Sequence, residues 1–324
     1  MIQKVKLTAE ISRTQLGKRL DQALAELFNE YSRSQIQQWI LSYRVNVNGI
    51  VIDKPDKKIS GGEHIVIHAE IKEDNDWKAQ NIPLNILFED DDILVINKPS
   101  ALVVHPGAGN SNNTLLNALL YHFPLINNVP RAGIVHRLDK DTTGLMVVAK
   151  NISSQVRLME MLKLRKIVRI YEAIVVGVIT VGGVVNASIG RHPKKRVYMS
   201  VNSMGKPAVT YYRIIENFRL HTRLYLRLQT GRTHQIRVHM AHLNHPIVGD
   251  PLYSRYKPEK GASEEVISKS YNFNRQALHA KILRFYHPKS NIAMEWCAPI
   301  PKDMMDLTNI LRIDKNNHFP YNGI

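Results

Sequence analysis

A single cysteine, Cys297, stands among 324 residues. That excludes an internal disulfide framework and any thiolate metal cluster, and it predicts a reducing, cytoplasmic setting. No stretch approaches the roughly 20 apolar residues of a membrane-spanning helix. The opening MIQKVKLTAEISR has neither a long apolar run nor a small-residue cleavage site, so no secretory signal and no membrane partner are expected. Acid is scarce as well: 28 Asp and Glu face 44 Lys and Arg, a formal charge of +16. Such an excess favours polyanionic partners, because each phosphate contact releases condensed counterions.

The charge is placed unevenly. Residues 191–240 hold eleven Lys and Arg against one acid, Glu216, while residues 70–92 hold eight acids and two Lys. A solubilising coat would mix the signs, so the pattern predicts a directed basic face and an acidic linker. With 44% hydrophobic and 22% charged residues the chain can bury a sizeable core, divided over two or three domains.

Residues 1–70 read as a small module. Leu20, Ala23, Leu24, Leu27 and Phe28 recur at helical spacing, and Ser32 with Gln35 predicts a capping box opening a second helix over Ile36, Trp39 and Ile40. Val45 and Val47 lead into Asn48-Gly49, the strongest two-residue hairpin signal, and Ile65–His68 is a further strand. Arg19, Arg33, Gln37, Gln38 and Arg44 are left facing outward, suited to phosphate. An acidic linker is expected over 71–82, and a catalytic domain over 83–312 with a loose tail over 313–324. The polar stretch 254–272 reads as a surface insertion.

Beyond the linker the pattern becomes many short strands (Ile86–Phe88, Ile93–Ile96, Leu102–Val104, Gly133–Val135, Leu145–Ala149, Tyr171–Val178, Leu224–Leu228). Helices intervene at 114–121, 153–164 and 233–243, the second with Val156, Met159 and Leu162 inward. The expected class is α+β: the small helix-plus-sheet module, then a large mixed, mainly antiparallel sheet flanked by helices.

The densest chemistry is His136-Arg137-Leu138-Asp139-Lys140-Asp141-Thr142-Thr143-Gly144, a charged loop between two apolar segments. Asp141, followed by two threonines, reads as a turn residue accepting backbone N–H groups, which leaves Asp139 as the better reactive carboxylate. A carboxylate walled in alone would neutralise, whereas a nearby guanidinium would keep it ionised. A second cluster, Thr230 to Met240, puts Arg232 and Arg237 near a strand end, within reach of a carboxylate or phosphate. Its histidines (His234, His239, His242, His245) have no acid among them, so no metal site is expected. His105-Pro106-Gly107-Ala108-Gly109 reads as a tight turn beside the site. Tyr171, on residues alone, reads as core. A nuclease or nucleosidase using Asp139 and His136, or a catalytically silent RNA chaperone, remains an alternative at this level.

The segments HRLDKDTTGLMVVAK (136–150) and GRTHQIRVHMAHLNHPIVGDPLY (231–253) resemble the pseudouridine synthases of the large-subunit uridine-modifying class. The first 70 residues, with GKRLDQALAEL, YSRSQI and RVNVNGI, resemble the S-four-type RNA-binding domain. The resemblance implies a cofactor-free monomer that isomerises uridines in a 23S rRNA hairpin at the ribosomal subunit interface, on the mature RNA or an assembly precursor, in support of large-subunit assembly. It places the catalytic aspartate on Asp139, its partner arginine on Arg237, and the tyrosine that packs on the uracil on Tyr171. Arg137 falls where an arginine replaces the extruded base. His136, Arg232, His234 and Gln235, with Arg33 and Arg44 of the first module, are the further RNA contacts expected. Ile170 departs from the polar residue expected before that tyrosine. The carboxylate would either attack the sugar carbon or take a sugar proton to give a glycal.

Overall fold

The computed structural model describes residues 2–28, 31, 33–72, 77–107, 110–195, 197–254 and 261–318. The chain divides into two compact units, 1–77 and 78–324.

In the first unit, strands β1 (Ile2–Glu10), β2 (Val45–Val47), β3 (Ile50–Ile52) and β4 (His64–Lys72) form an antiparallel sheet in the order β1-β4-β2-β3. Helices α1 (Leu20–Leu27) and α2 (Arg33–Leu41) bury Leu20, Leu24, Ile36 and Ile40 against Val45, Ile65 and Ile67. The turn Asn48-Gly49 takes φ of 51° and 84°, the left-handed pair that a tight hairpin requires. Ser32 lies outside the described residues, and α2 begins at Arg33. The sheet runs to Lys72, into the segment expected as linker. Arg19, Arg33 and Gln37 do not simply face solvent. All three donate to the carboxylate of Asp21, which is wholly buried. Burial would raise that carboxyl's pKa, but the hydrogen bonds from Arg19, Gln37 and Arg33 outweigh it and hold the pKa at about 2.

The second unit is built on nine strands: β5 (Ile86–Glu89), β6 (Ile93–Lys98), β7 (Thr143–Ala149), β8 (Val168–Val176), β9 (Gly183–Asn186), β12 (Val209–Asn217), β13 (His221–Leu228), β14 (Leu278–Tyr286) and β15 (Ala293–Cys297). Their order is β5-β6-β7-β14-β8-β13-β12-β9, with β15 on β14, and a separate ribbon pairs β10 (Ile189–Arg191) with β11 (Met199–Val201). Every pairing in the large sheet is antiparallel except β7 with β14. Helices α3 (Leu115–His122), α4 (Ile152–Lys163), α5 (Gln235–His242), α6 (Glu264–Tyr271) and α7 (Lys302–His318) complete the unit. The sheet is the mixed, mainly antiparallel one expected. No helix among the described residues is long and apolar enough to cross a membrane.

Several local expectations are corrected. Helix α4 buries Leu158 and Met161 together with Ser154 and Gln155, and turns Val156 and Met159 outward. The polar pair can face inward because Ser154 donates to Asp92 and Gln155 to the Pro130 carbonyl. Gly133–Val135 is no strand: Ile134 makes one bridge, to Val148, and Leu102–Val104 is likewise reduced to a bridge from Val103 to Thr114. The expected insertion contains α6, with Ser263 as its cap, while 255–260 lie outside the described residues. The expected tail is helical to His318, because Asp314 is buried and accepts two hydrogen bonds from Arg219, each 2.9 Å.

Candidate active site

Pairing across the sheet sets Lys98, Gly144, Ala280, Tyr171 and Leu226 in one row over β6, β7, β14, β8 and β13. Paired residues share a face, which sets Tyr171 beside Ala280 and, one strand further, Gly144. Gly144 has φ of +112°, and a Cβ there would lie 2.2 Å from the Ala280 carbonyl oxygen; only glycine lets β7 approach β14 so closely. The same holds at Gly133, where a Cβ would meet the Ala149 oxygen at 1.8 Å. The charged loop 134–142 hangs between these two close approaches.

The loop is pinned from beneath. Lys98, almost fully buried, donates to the carbonyls of Pro99 (2.8 Å), Leu102 (3.0 Å) and Lys140 (2.8 Å). Burial pushes its pKa down to about 7, against the opposing charges of Asp141 and Asp139. Gln276 donates to Thr142, and Thr143 pairs with His279. Asp141 caps no turn; its charge acts on Lys98 instead.

Held this way, Asp139 accepts a 2.9 Å bond at Oδ2 from Nη1 of Arg237, 98 residues along the chain. Arg237 sits on α5 at 4% exposure, and its Nε and Nη2 form a fork on Asp250 at 2.7 and 2.9 Å. Burial alone would lower the guanidinium's pKa, but Asp250 and then Asp139 hold it raised. Asp250 also accepts the backbone N–H groups of Leu252 and Tyr253, and Tyr253 places its ring 5.1 Å from the Arg237 guanidinium. The second oxygen of Asp139 lies 3.9 Å from Nε2 of His234. His234 opens α5 in the left-handed conformation (φ 55°) and bonds Tyr253 through Nδ1 at 2.8 Å.

Asp139 and Tyr171 line one cavity of about 630 Å³, within the range of ordinary ligand sites. His136, Arg137, Arg232, His234 and Arg237 line it too, so the structure brings together most residues expected for the site. Seven Lys and Arg and one carboxylate face the space, a strongly cationic surround. Burial pushes the Tyr171 phenol above its ordinary pKa; the Arg169 charge opposes this and Asp139 adds to it. His136 accepts the Val147 N–H at Nε2, and burial pushes its pKa down to about 3.

One expected RNA contact is already committed. Gln235 borders the cavity but is 3% exposed, and its amide is committed to protein: it accepts from Thr230 and Arg232 and donates to Val209 and Thr210. Arg33 and Arg44 belong to the first unit. The histidines that suggested a metal are dispersed onto separate partners, His239 onto Thr210 and Ala187, His245 onto Val176. Lys98, Asp250 and Tyr253 were missed. Only the GDPLY run after the second cluster hinted at the last two, and nothing local tied them to Asp139.

A buried carboxylate–guanidinium–carboxylate cluster beside a tyrosine, in a cationic cavity, defines an RNA-modifying site. The chain belongs to the RNA pseudouridylate synthase family: residues 92–242 match that family and residues 18–65 match the S4 domain. It is 64% identical over 319 residues to ribosomal large subunit pseudouridine synthase D of Salmonella typhimurium, covering 98% of each chain. Identity to the protein of that name from Escherichia coli K12 is 62%, with the same coverage, and to that from Pasteurella multocida 58%, covering 97% of each. Among solved structures, human RNA pseudouridylate synthase domain containing 4 superposes with a TM-score of 0.56 at 27% identity, over 70% of this chain and 93% of that one.

Proposed function

We propose that this chain converts uridines of 23S ribosomal RNA, in a hairpin at the ribosomal subunit interface, to pseudouridine during large-subunit assembly. It acts as a cytoplasmic monomer without a cofactor, and the first unit serves as an accessory RNA-binding domain. The observation that carries this reading is Asp139, fixed by Arg237 with its other oxygen open to the cavity that Tyr171 walls. The target nucleotide leaves its stack, which costs a few kcal/mol, offset by stacking on Tyr171 and by phosphate contacts from Arg137 and Arg232. Asp139 works at the sugar, either attacking C1′ or removing the C2′ proton, while the bond from C1′ to N1 breaks. The uracil turns within the cavity and C5 bonds to C1′, as the Asp139–C1′ bond breaks or, on the other route, as Asp139 returns the proton to C2′; the proton then leaves C5 while N1 gains one. Tyr171 is the group beside the base assigned to that proton.

A hydrolase reading would need His136 as its proton donor. With its pKa near 3 and Nε2 occupied by a backbone N–H, His136 is a neutral structural imidazole instead. The test is Asp139→Asn, assayed by carbodiimide primer-stop mapping on 23S rRNA. Pseudouridine should vanish while RNA affinity stays within a few-fold; isomerisation by the variant would overturn the reading.

A further inference from the structure

Among the described residues most buried and half-buried arginines are matched to carboxylates, Arg223 to Glu172, Arg219 to Asp314, Arg275 to Asp303, Arg237 to Asp250 and Asp139, and buried Lys98 is held by three carbonyls. Half-buried Arg169 has no such partner, and three exposed cations stand with it. Arg131, Lys163 at the end of α4, Arg165 just beyond it, and Arg169 at the start of β8 all line the cavity that holds Asp139. None of these four side chains has an ion pair or hydrogen bond among the described residues. The cavity's one carboxylate is already held by Arg237.

Three further observations point to an absent anion. The Nε atom of Arg169 is buried with no acceptor, which a folded chain avoids unless a ligand supplies one. Arg131 holds left-handed backbone, φ of 55°, a strain that collects at functional sites. Four like charges gathered in one concavity repel each other until a counter-charge enters. Guanidinium forks match phosphate oxygens two at a time.

We propose that Arg131, Lys163, Arg165 and Arg169 form a phosphate subsite that receives the RNA backbone beside the extruded uridine. It is distinct from Arg137 and Arg232. The proposal rests on the RNA-modifying reading above for the identity of its phosphates.

Lys163 and Arg165 are exposed, so Lys163→Gln with Arg165→Gln leaves the fold intact. Lys166→Gln, an exposed charge that does not line the cavity, is the control. Binding of a 23S rRNA fragment is measured by filter retention across a salt series, and pseudouridine formation is followed separately. The double variant should bind about tenfold more weakly at physiological salt, and its slope of log K against log salt should shrink by about 1.4, two contacts at roughly 0.7 each. KM should rise with kcat unchanged, and the control should bind like the parent. An unchanged affinity and slope would overturn the subsite, as would a loss of kcat at constant KM. Binding decides the subsite, and product formation decides the reading beneath it: a parent that makes no pseudouridine yet shows the salt effect would keep the one and lose the other.

Discussion

Replacing Asp250 tests whether Arg237 is merely near Asp139 or is held there. Asp250 has no exposed side-chain surface, and its two oxygens take both arms of the Arg237 fork. Asp250→Asn keeps the shape but offers one oxygen, so the amide NH₂ faces a guanidinium N–H, donor against donor. Arg237 then carries its buried charge on Asp139 alone. Removing one partner of a buried ion pair costs about 3–5 kcal/mol. At about 3 °C per kcal/mol for a unit of this size, Tm should fall roughly 9–15 °C. The freed guanidinium turns toward Asp139 and displaces it. Misplacement by about 1 Å at a reacting group costs on the order of 10²-fold in rate. Melting followed by circular dichroism gives the first number, and single-turnover pseudouridine formation well below the lowered Tm gives the second. A Tm within about 3 °C of the parent would refute the energetics. A large Tm loss with undiminished turnover would show Asp250 to be structural only.

Tyr171→Phe keeps the ring and removes the oxygen, so RNA binding should stay within a few-fold while product formation drops about 10²-fold or more; full turnover in a single-turnover assay would exclude the phenol from proton transfer. The chain should also be acid-labile. Burial pushes His136 to about 3 and His221 and His279 to about 4, below the ordinary 6.5, so the unfolded chain binds protons first as pH falls. The stability is whole above pH 6.5 and is lost from there toward pH 4, at up to about 1.4 kcal/mol per unit for each histidine. Between pH 7.5 and 5.5 Tm should drop on the order of 10 °C, and a flat Tm over that interval would contradict neutral burial.

How legible the site was in the sequence depended on whether the signal was local. Asp139 stood out because a dense charged loop bracketed by apolar runs has few structural uses. Arg237 emerged from a stretch whose apolar members Ile236, Met240 and Leu243 recur at helical spacing; the first two are buried and Leu243 is half-buried. Tyr171 was not readable alone, because only folding brings it to the cavity that Asp139 also lines. Asp250 and Lys98 were invisible for the same reason: each acts on a segment that folding, not sequence, brings near. Hydrophobic periodicity failed on α4 because it cannot see that Ser154 and Gln155 find hydrogen-bond partners inside. Strand β1, whose register against β4 runs from Ile2 to Glu10, was legible in principle, because Val5, Leu7 and Ala9 alternate with Lys4, Lys6 and Thr8.

The second carboxylate has a consequence for the chemistry. Had Arg237 faced Asp139 alone, the two would form a neutral pair, with the carboxylate's charge largely drawn onto the guanidinium. Asp250 already takes two of the three hydrogen bonds that Arg237 makes to carboxylates, leaving Asp139 a single bond at Oδ2. The three-group cluster carries a net negative charge, and Oδ1 of Asp139 is left for the sugar. The surrounding cations draw in RNA phosphate without quenching that charge, since the Arg237 guanidinium, the one in hydrogen-bond contact with Asp139, is itself neutralised from behind. Positioning and reactivity are thereby divided between two carboxylates on one arginine. A cavity with the same cations but no Asp250 would bind RNA equally well and turn it over slowly.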